Sequence, residues 1–204
     1  VEIEGRRGYP ASCTTPVVEG MKVRTESPKL TDLRRNVMEL YISDHPLDCV
    51  TCPANGHCEL QDMSFNFGIV EIGEVKQKGL PEDRRSTVLD FNMNRCILCA
   101  QCINICKEVV MVDALQFLKK GGFTHVVAKG DNALDCEFCG DCLAVCPVGA
   151  ITNKFSKYLY KPWQLQKTVT ACNYCADGCQ MRVEVTDNAV VRVTSSLSWK
   201  DKWD

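Results

Sequence analysis

Apolar positions Leu30, Leu33, Val37, Leu40 and Tyr41 recur at three- and four-residue intervals, the period of one helix face. Ser27 stands ahead of them as an N-cap, and Pro28 occupies a first helical position, where its missing N–H costs nothing. The pattern predicts an amphipathic helix over 27–42 that packs against a neighbouring unit. Residues 114–118 and 123–127 are short apolar segments on either side of Lys119, Lys120, Gly121 and Gly122, which reads as a hairpin. A second hairpin is predicted from residues 180–186 and 190–194 about Asp187 and Asn188, residue types that tolerate the left-handed backbone of tight turns. Residues 1–5 have the character of a strand running into a turn. The chain opens there and stops at Trp203 and Asp204 with no closing element, so a piece of something longer is expected.

The longest run without a charged residue, 142–153, is 12 residues and too short to span a bilayer. The N-terminus lacks a basic segment followed by an apolar signal core. A soluble, cytoplasmic chain with no membrane span is therefore expected. Lys and Arg total 24 against 26 Asp and Glu, a formal net charge of -2, with no basic run; this argues against nucleic acid as the main partner.

Cysteine changes the picture. There are 15 in 204 residues, an odd number in a chain without a secretion signal, so thiolates are expected as metal ligands rather than as disulfides. They group as Cys13; Cys49, Cys52 and Cys58; Cys96, Cys99, Cys102 and Cys106; Cys136, Cys139, Cys142 and Cys146; and Cys172, Cys175 and Cys179. The third and fourth groups share the spacing C-x2-C-x2-C-x3-C, each cysteine lying 40 residues from its counterpart, which marks an internal duplication. Zinc is the ordinary alternative for any CxxC pair and prefers two separated pairs around a tetrahedron. Three cysteines at two-residue spacing instead wrap one loop around an iron–sulfur cube, and the fourth is expected to begin a helix leading away. In the bacterial two-cluster run that fourth cysteine serves the other cluster. One [4Fe-4S] is thus assigned to Cys96, Cys99, Cys102 and Cys146, and a second to Cys106, Cys136, Cys139 and Cys142. Pro147 after Cys146 fits the run, whereas Lys107 after Cys106 departs from it. Ile97, Leu98, Ile103, Ile105, Leu143, Val145 and Val148 are expected to keep these sites dry. His125 is read as structural.

Cys49, Cys52 and Cys58 are one ligand short of a closed [4Fe-4S]. His45, four residues ahead of Cys49, supplies a neutral nitrogen that can replace a thiolate, with Asp44 placed to orient the ring. His57, beside Cys58, would strain the loop and ranks below it.

The stretch 43–63 followed by the ferredoxin pair resembles the N-terminal electron-transfer region of three groups. These are the alpha subunits of NAD-dependent formate dehydrogenases, multidomain [FeFe] hydrogenases, and the large peripheral iron–sulfur subunit of respiratory complex I. The resemblance implies a [4Fe-4S] on His45, Cys49, Cys52 and Cys58. It also implies that Cys13 is the last ligand of a plant-type [2Fe-2S] domain whose other ligands precede Val1. Cys172, Cys175 and Cys179 with the following hairpin resemble the opening of the molybdenum or tungsten bis-pterin oxidoreductase domain, where they supply three of four ligands to a further [4Fe-4S].

The expected architecture is α+β, small iron–sulfur domains in series. Residues 1–26 are the end of a [2Fe-2S] domain, 27–85 the domain with one His and three Cys ligands, 86–158 a 2[4Fe-4S] ferredoxin domain, and 159–204 a linker, marked by Trp163, and the start of the pterin domain. A complete second ferredoxin run together with the Cys172 triplet points, within the resemblance, to formate dehydrogenase. Electrons from formate, oxidised at a metal–pterin site elsewhere in the polypeptide, would reach a flavin mononucleotide/NAD-binding diaphorase-type partner subunit. No residue here would act as acid, base or nucleophile. The alternatives are a relay in an NAD-linked hydrogenase or complex-I-like dehydrogenase, and a structural zinc module.

Overall fold

The computed structural model describes residues 1–69, 78–80, 82–83, 85–120, 123–130 and 134–195. At the start, β1 (Glu2–Ile3) pairs antiparallel with β2 (Val23–Arg24), and the chain turns at Gly5 with φ +78°, as the opening residues predict. Helix α1 (Pro28–Ser43) follows, capped as expected: Ser27 Oγ accepts from Leu30 N–H at 3.2 Å. The same hydroxyl donates to Glu2 Oε1 at 2.7 Å, tying the helix start to β1.

The buried stripe of α1 differs from the predicted one. Leu30, Met38 and Ile42 are buried and Leu33 is half-buried, while Val37, Leu40 and Tyr41 are exposed. The helix therefore meets its neighbours along a single i±4 row, 30–34–38–42, rather than a broad face. Arg34 in that row turns outward, donating from Nη2 to Thr25 O at 2.6 Å. Opposite this row lies α2 (Glu59–Asn66), which buries Leu60.

Strand β3 (Leu89–Phe91) opens the central unit, followed by α3 (Gln101–Asn104), which widens into a π-helical turn over Ile105–Val109. The predicted first hairpin is present as β4 (Leu115–Lys120) and β5 (Phe123–Ala128), with Leu118 opposite His125; Gly121 and Gly122 lie outside the described residues. After α4 (Asp141–Val145), β6 (Ile151–Asn153) returns antiparallel to β3, with Phe91 opposite Ile151, so the two halves of the duplication are closed by one short ribbon. Leu89, Phe91, Met93, Leu115, Val126 and Ile151 form the core beneath.

The last unit is a three-stranded antiparallel sheet, β7 (Gln166–Ala171), β8 (Gln180–Thr186) and β9 (Ala189–Ser195). Asp187 and Asn188 both have positive φ, +49° and +59°, the conformation of a two-residue hairpin turn. Glu184 on β8 is fully buried and ion-paired with Arg192, its cross-strand neighbour on β9.

Candidate metal centres

The duplication is visible in the backbone before any side chain is considered. Leu98 and Phe138, 40 residues apart, both take left-handed φ, +57° and +55°, and so do Ala100 and Gly140, at +63° and +87°. Three of these four carry a Cβ, so each loop holds strain that its surroundings must overcome. The first curl points a backbone donor at sulfur, Leu98 N–H lying 3.4 Å from Cys96 Sγ; a second donor comes from the entry to β4, where Ala114 N–H lies 3.3 Å from Cys106 Sγ. The fourth cysteine of each run does not begin a helix as expected. Cys146 closes α4 and Cys106 sits in the π turn that continues α3, because the helix starts directly after the second left-handed residue.

Two separate cavities then receive the thiols. One is walled by Cys96, Cys99, Cys102 and Cys146 with Ile97 and Val148; the other by Cys106, Cys136, Cys139 and Cys142 with Ala114 and Leu115. Each cavity thus combines three cysteines of one run with the fourth of the other. Burial and the crowding of neighbouring thiolates push the thiols of Cys102 and Cys142 up to about 12. Four thiolates crowded in an apolar wall need a cation to remain ionised, so the donor set fits a metal group. Ile97, Ile103 and Leu143 are partly buried against the core and Val148 fully so; Leu98, expected in the dry shell, is exposed.

The segment from Asp48 to Cys58 is a chain of turns: Thr51 and Cys52 N–H both donate to Asp48 O at 2.9 Å, and Asn55 N–H to Cys52 O at 3.1 Å. Cys58 is the N-cap of α2. Cys52 and Cys58 are buried and Cys49 is half-buried; burial raises all three thiols, Cys58 to about 11. His45 is 6% exposed, and its Nδ1 has no hydrogen-bond partner. Burial, then the positive charge of Lys78, lowers its proton affinity to about 4, so the ring is neutral and a nitrogen lone pair is available. A buried imidazole with an orphaned nitrogen is the feature a missing fourth ligand requires. Asp44, expected to orient that ring, instead pairs with Lys78 Nζ at 3.1 Å.

The remaining cysteines are not gathered in this way. Cys172 N–H donates to Cys179 O at 2.8 Å, which folds the triplet loop back on itself, but Cys175 and Cys179 are exposed. Cys13 sits exposed in a 3-10 turn over Ser12–Thr14. Among the described residues no three His, Cys, Asp or Glu side chains close on a single ion.

Three residues at the seam between sites escaped the sequence reading. Arg95, buried, ion-pairs with Asp48 and so braces the loop that leads into Cys49. Gly149 follows Cys146 closely, and a Cβ there would lie 2.6 Å from Cys52 Sγ. Lys78 donates to Cys96 O at 2.8 Å. The position of Arg95 next to Cys96 was a readable hint; nothing local marks Lys78. Trp163, read as a linker residue, lies against the same loop, since a Cβ on Gly56 would come within 3.1 Å of its ring.

Comparison with known proteins follows the same order along the chain. Residues 34–72 match the NADH-ubiquinone oxidoreductase-G iron-sulfur binding region, 86–152 the ferredoxin-like domain of NADH-quinone oxidoreductase subunit 3, and 165–198 the molybdopterin oxidoreductase Fe4S4 domain. The NADPH-Fe(3+) oxidoreductase subunit alpha of Geobacter sulfurreducens is 38% identical over 97% of this chain and 24% of its own length. The mitochondrial NADH-ubiquinone oxidoreductase 78 kDa subunit of Neurospora crassa is 33% identical over 97% of this chain and 27% of its own. The chain thus spans about a quarter of the length of these relatives. A crystal structure of NAD+-reducing [NiFe]-hydrogenase in the H2-reduced state superimposes with a TM-score of 0.65 at 26% identity, covering 74% of this chain and 67% of that one. These proteins are named for NADPH, ferric iron, NADH, ubiquinone and NAD+, not for formate. Through these matches the chain carries iron–sulfur segments of the NADH-quinone oxidoreductase G type, similar to those of the complex I subunit and of NAD-reducing hydrogenase.

Proposed function

We propose that this region relays electrons within a pyridine-nucleotide-linked oxidoreductase, between a flavin mononucleotide/NAD-binding partner subunit and a further redox domain of its own polypeptide. The observation that carries the reading is the pair of four-thiol cavities, each completed by a cysteine from the other half of the duplication. A [4Fe-4S] cluster bound in such a site supplies a one-electron couple. The chain's own residues do the rest. Cys96, Cys99, Cys102 and Cys146 hold one group, Cys106, Cys136, Cys139 and Cys142 a second, and His45, Cys49, Cys52 and Cys58 a third. Ile97, Val148 and Leu115 exclude water, and the N–H groups of Leu98 and Ala114 aim at ligand sulfurs, a contact that favours the reduced state. Cys172, Cys175 and Cys179 provide three ligands of a fourth [4Fe-4S], and Cys13 one ligand of a [2Fe-2S].

Formate oxidation at a molybdenum or tungsten bis-pterin site, in the cytoplasm, is the terminal reaction favoured by the complete run 136–146 standing together with the Fe4S4 segment 165–198. A relay of hydrogenase or complex I type is the second reading, favoured by the relatives' names.

The test is anaerobic purification of the full chain with measurement of iron, acid-labile sulfide and paramagnetic resonance of the reduced protein. About twelve irons with equal sulfide are expected from the three complete sites. Zinc without sulfide would exclude electron transfer. Assay of the whole polypeptide with formate against NADPH, NADH and hydrogen then separates the two terminal readings.

A further inference from the structure

Outside the ligand sets, the described buried charges near the centres gather at the seam between the His45 site and the central unit. Arg95 there is occupied by Asp48, and the two neutralise one another. Lys78 is different. Its side chain is 9% exposed, while its counter-ion, Asp44, is 51% exposed and screened by water. The ammonium reaches both ways: to Asp44, the residue before His45, at 3.1 Å, and to the carbonyl oxygen of Cys96 at 2.8 Å. One cation is therefore held against the residue that precedes the first ligand of one candidate centre and against the first cysteine of another.

Adding an electron to either centre adds negative charge, and a cation a few ångströms away in poorly solvated surroundings stabilises that charge far more than an exposed one does. We propose that Lys78 is a positioning residue that supplies one fixed positive charge to the His45–Cys49–Cys52–Cys58 centre and the Cys96–Cys99–Cys102–Cys146 centre together, raising the reduction potential of both and leaving the Cys106–Cys136–Cys139–Cys142 centre alone. The inference rests on the proposed electron relay. Its consequence is that the two centres across the seam are matched: a change at Lys78 moves them in step, so that the difference in potential between them is preserved while their offset from the third changes.

The experiment is a redox titration of the full, anaerobically reconstituted chain, followed by paramagnetic resonance. Lys78→Met is expected to lower the midpoints of the two seam centres and leave the third in place, and Lys78→Arg to restore them. Asp44→Asn, at an exposed position, is expected to shift the same two midpoints upward. Unchanged midpoints in Lys78→Met with its iron intact, or equal shifts in all three centres, overturn the proposal. Should Lys78→Met lose iron, Lys78→Gln, which keeps a donor to Cys96 O without the charge, decides: midpoints lowered in the two seam centres alone support it, and unchanged midpoints overturn it. A wild-type chain without iron and sulfide would overturn the relay reading itself, which the iron assay reports before any variant is made.

Discussion

The central unit and the C-terminal sheet bury opposite things. Between residues 86 and 158 the interior takes in thiols: Cys96, Cys102 and Cys146 are buried beside Phe91, Val126 and Ile151. In β7–β8–β9 the interior takes in a carboxylate and a guanidinium group, Glu184 and Arg182, with Arg192 half-buried above them, while Cys175 and Cys179 stay at the surface. The central unit is closed at its ends by strands of three residues and adds one hairpin, β4–β5, and its buried cysteines belong to the same apolar cluster, so its ligands are part of its core. The sheet has strands of six and seven residues and stands without its cysteines. A site that is complete within the chain is built into the fold, and a site that is three-quarters present is carried on top of it.

The sharpest way to break this contrast is to remove the iron. Chelation under reducing conditions is expected to unfold residues 86–158, because binding energy at such a site is folding energy, while the strand pairing of 166–195 survives. Limited proteolysis with mass mapping reads the two regions separately, and equal protection throughout would contradict the contrast. Next in size, Cys102→Ser is expected to remove about four irons per chain and Cys175→Ser none from the ferredoxin pair. His45→Ala should remove or convert one paramagnetic signal and spare that pair. Iron analysis and low-temperature spectra report all three.

For the sheet, Glu184→Ala leaves Arg192 without its buried partner and is expected to cost about 3 kcal/mol, seen as a lower denaturation midpoint of the β signal with the cluster absorbance unchanged. The smallest effects come from two glycines. Gly149→Ala would press a methyl against Cys52 Sγ, 2.6 Å away, and is expected to cost about 1–3 kcal/mol and to disturb the His45 centre. Gly178→Ala meets nothing within 4 Å and is charged only its left-handed φ of +60°, about 1 kcal/mol. Equal costs at the two positions, by chemical denaturation of the holoprotein, would mean that the seam yields to a methyl group and is not tightly packed.

Helix α1 illustrates the limit of periodicity. Its cap, start and end follow from Ser27, Pro28 and the apolar rhythm, yet Leu40, an obvious core candidate, is 71% exposed, and Met38 and Ile42 are buried in its place. Hydrophobicity offered more apolar positions than one ridge could hold, and the choice fell to α2 and the loop packed against it. Asp44 makes the same point on the polar side: proximity in sequence suggested His45 as its partner, and a lysine 34 positions away took it.

By itself the order of residues determined the grouping of the cysteines, the duplication of their spacing, the shortage of one ligand at Cys49–Cys58, and both hairpins. These depend on spacing along the backbone and on side chains that set their own turn. Only the tertiary structure decided that Gly149 must be bare beside Cys52, that Arg95 braces Asp48, and that Lys78 spans two sites. Such contacts join positions dozens of residues apart, and their energy comes from excluding water at a seam that no stretch of chain possesses until the units have packed.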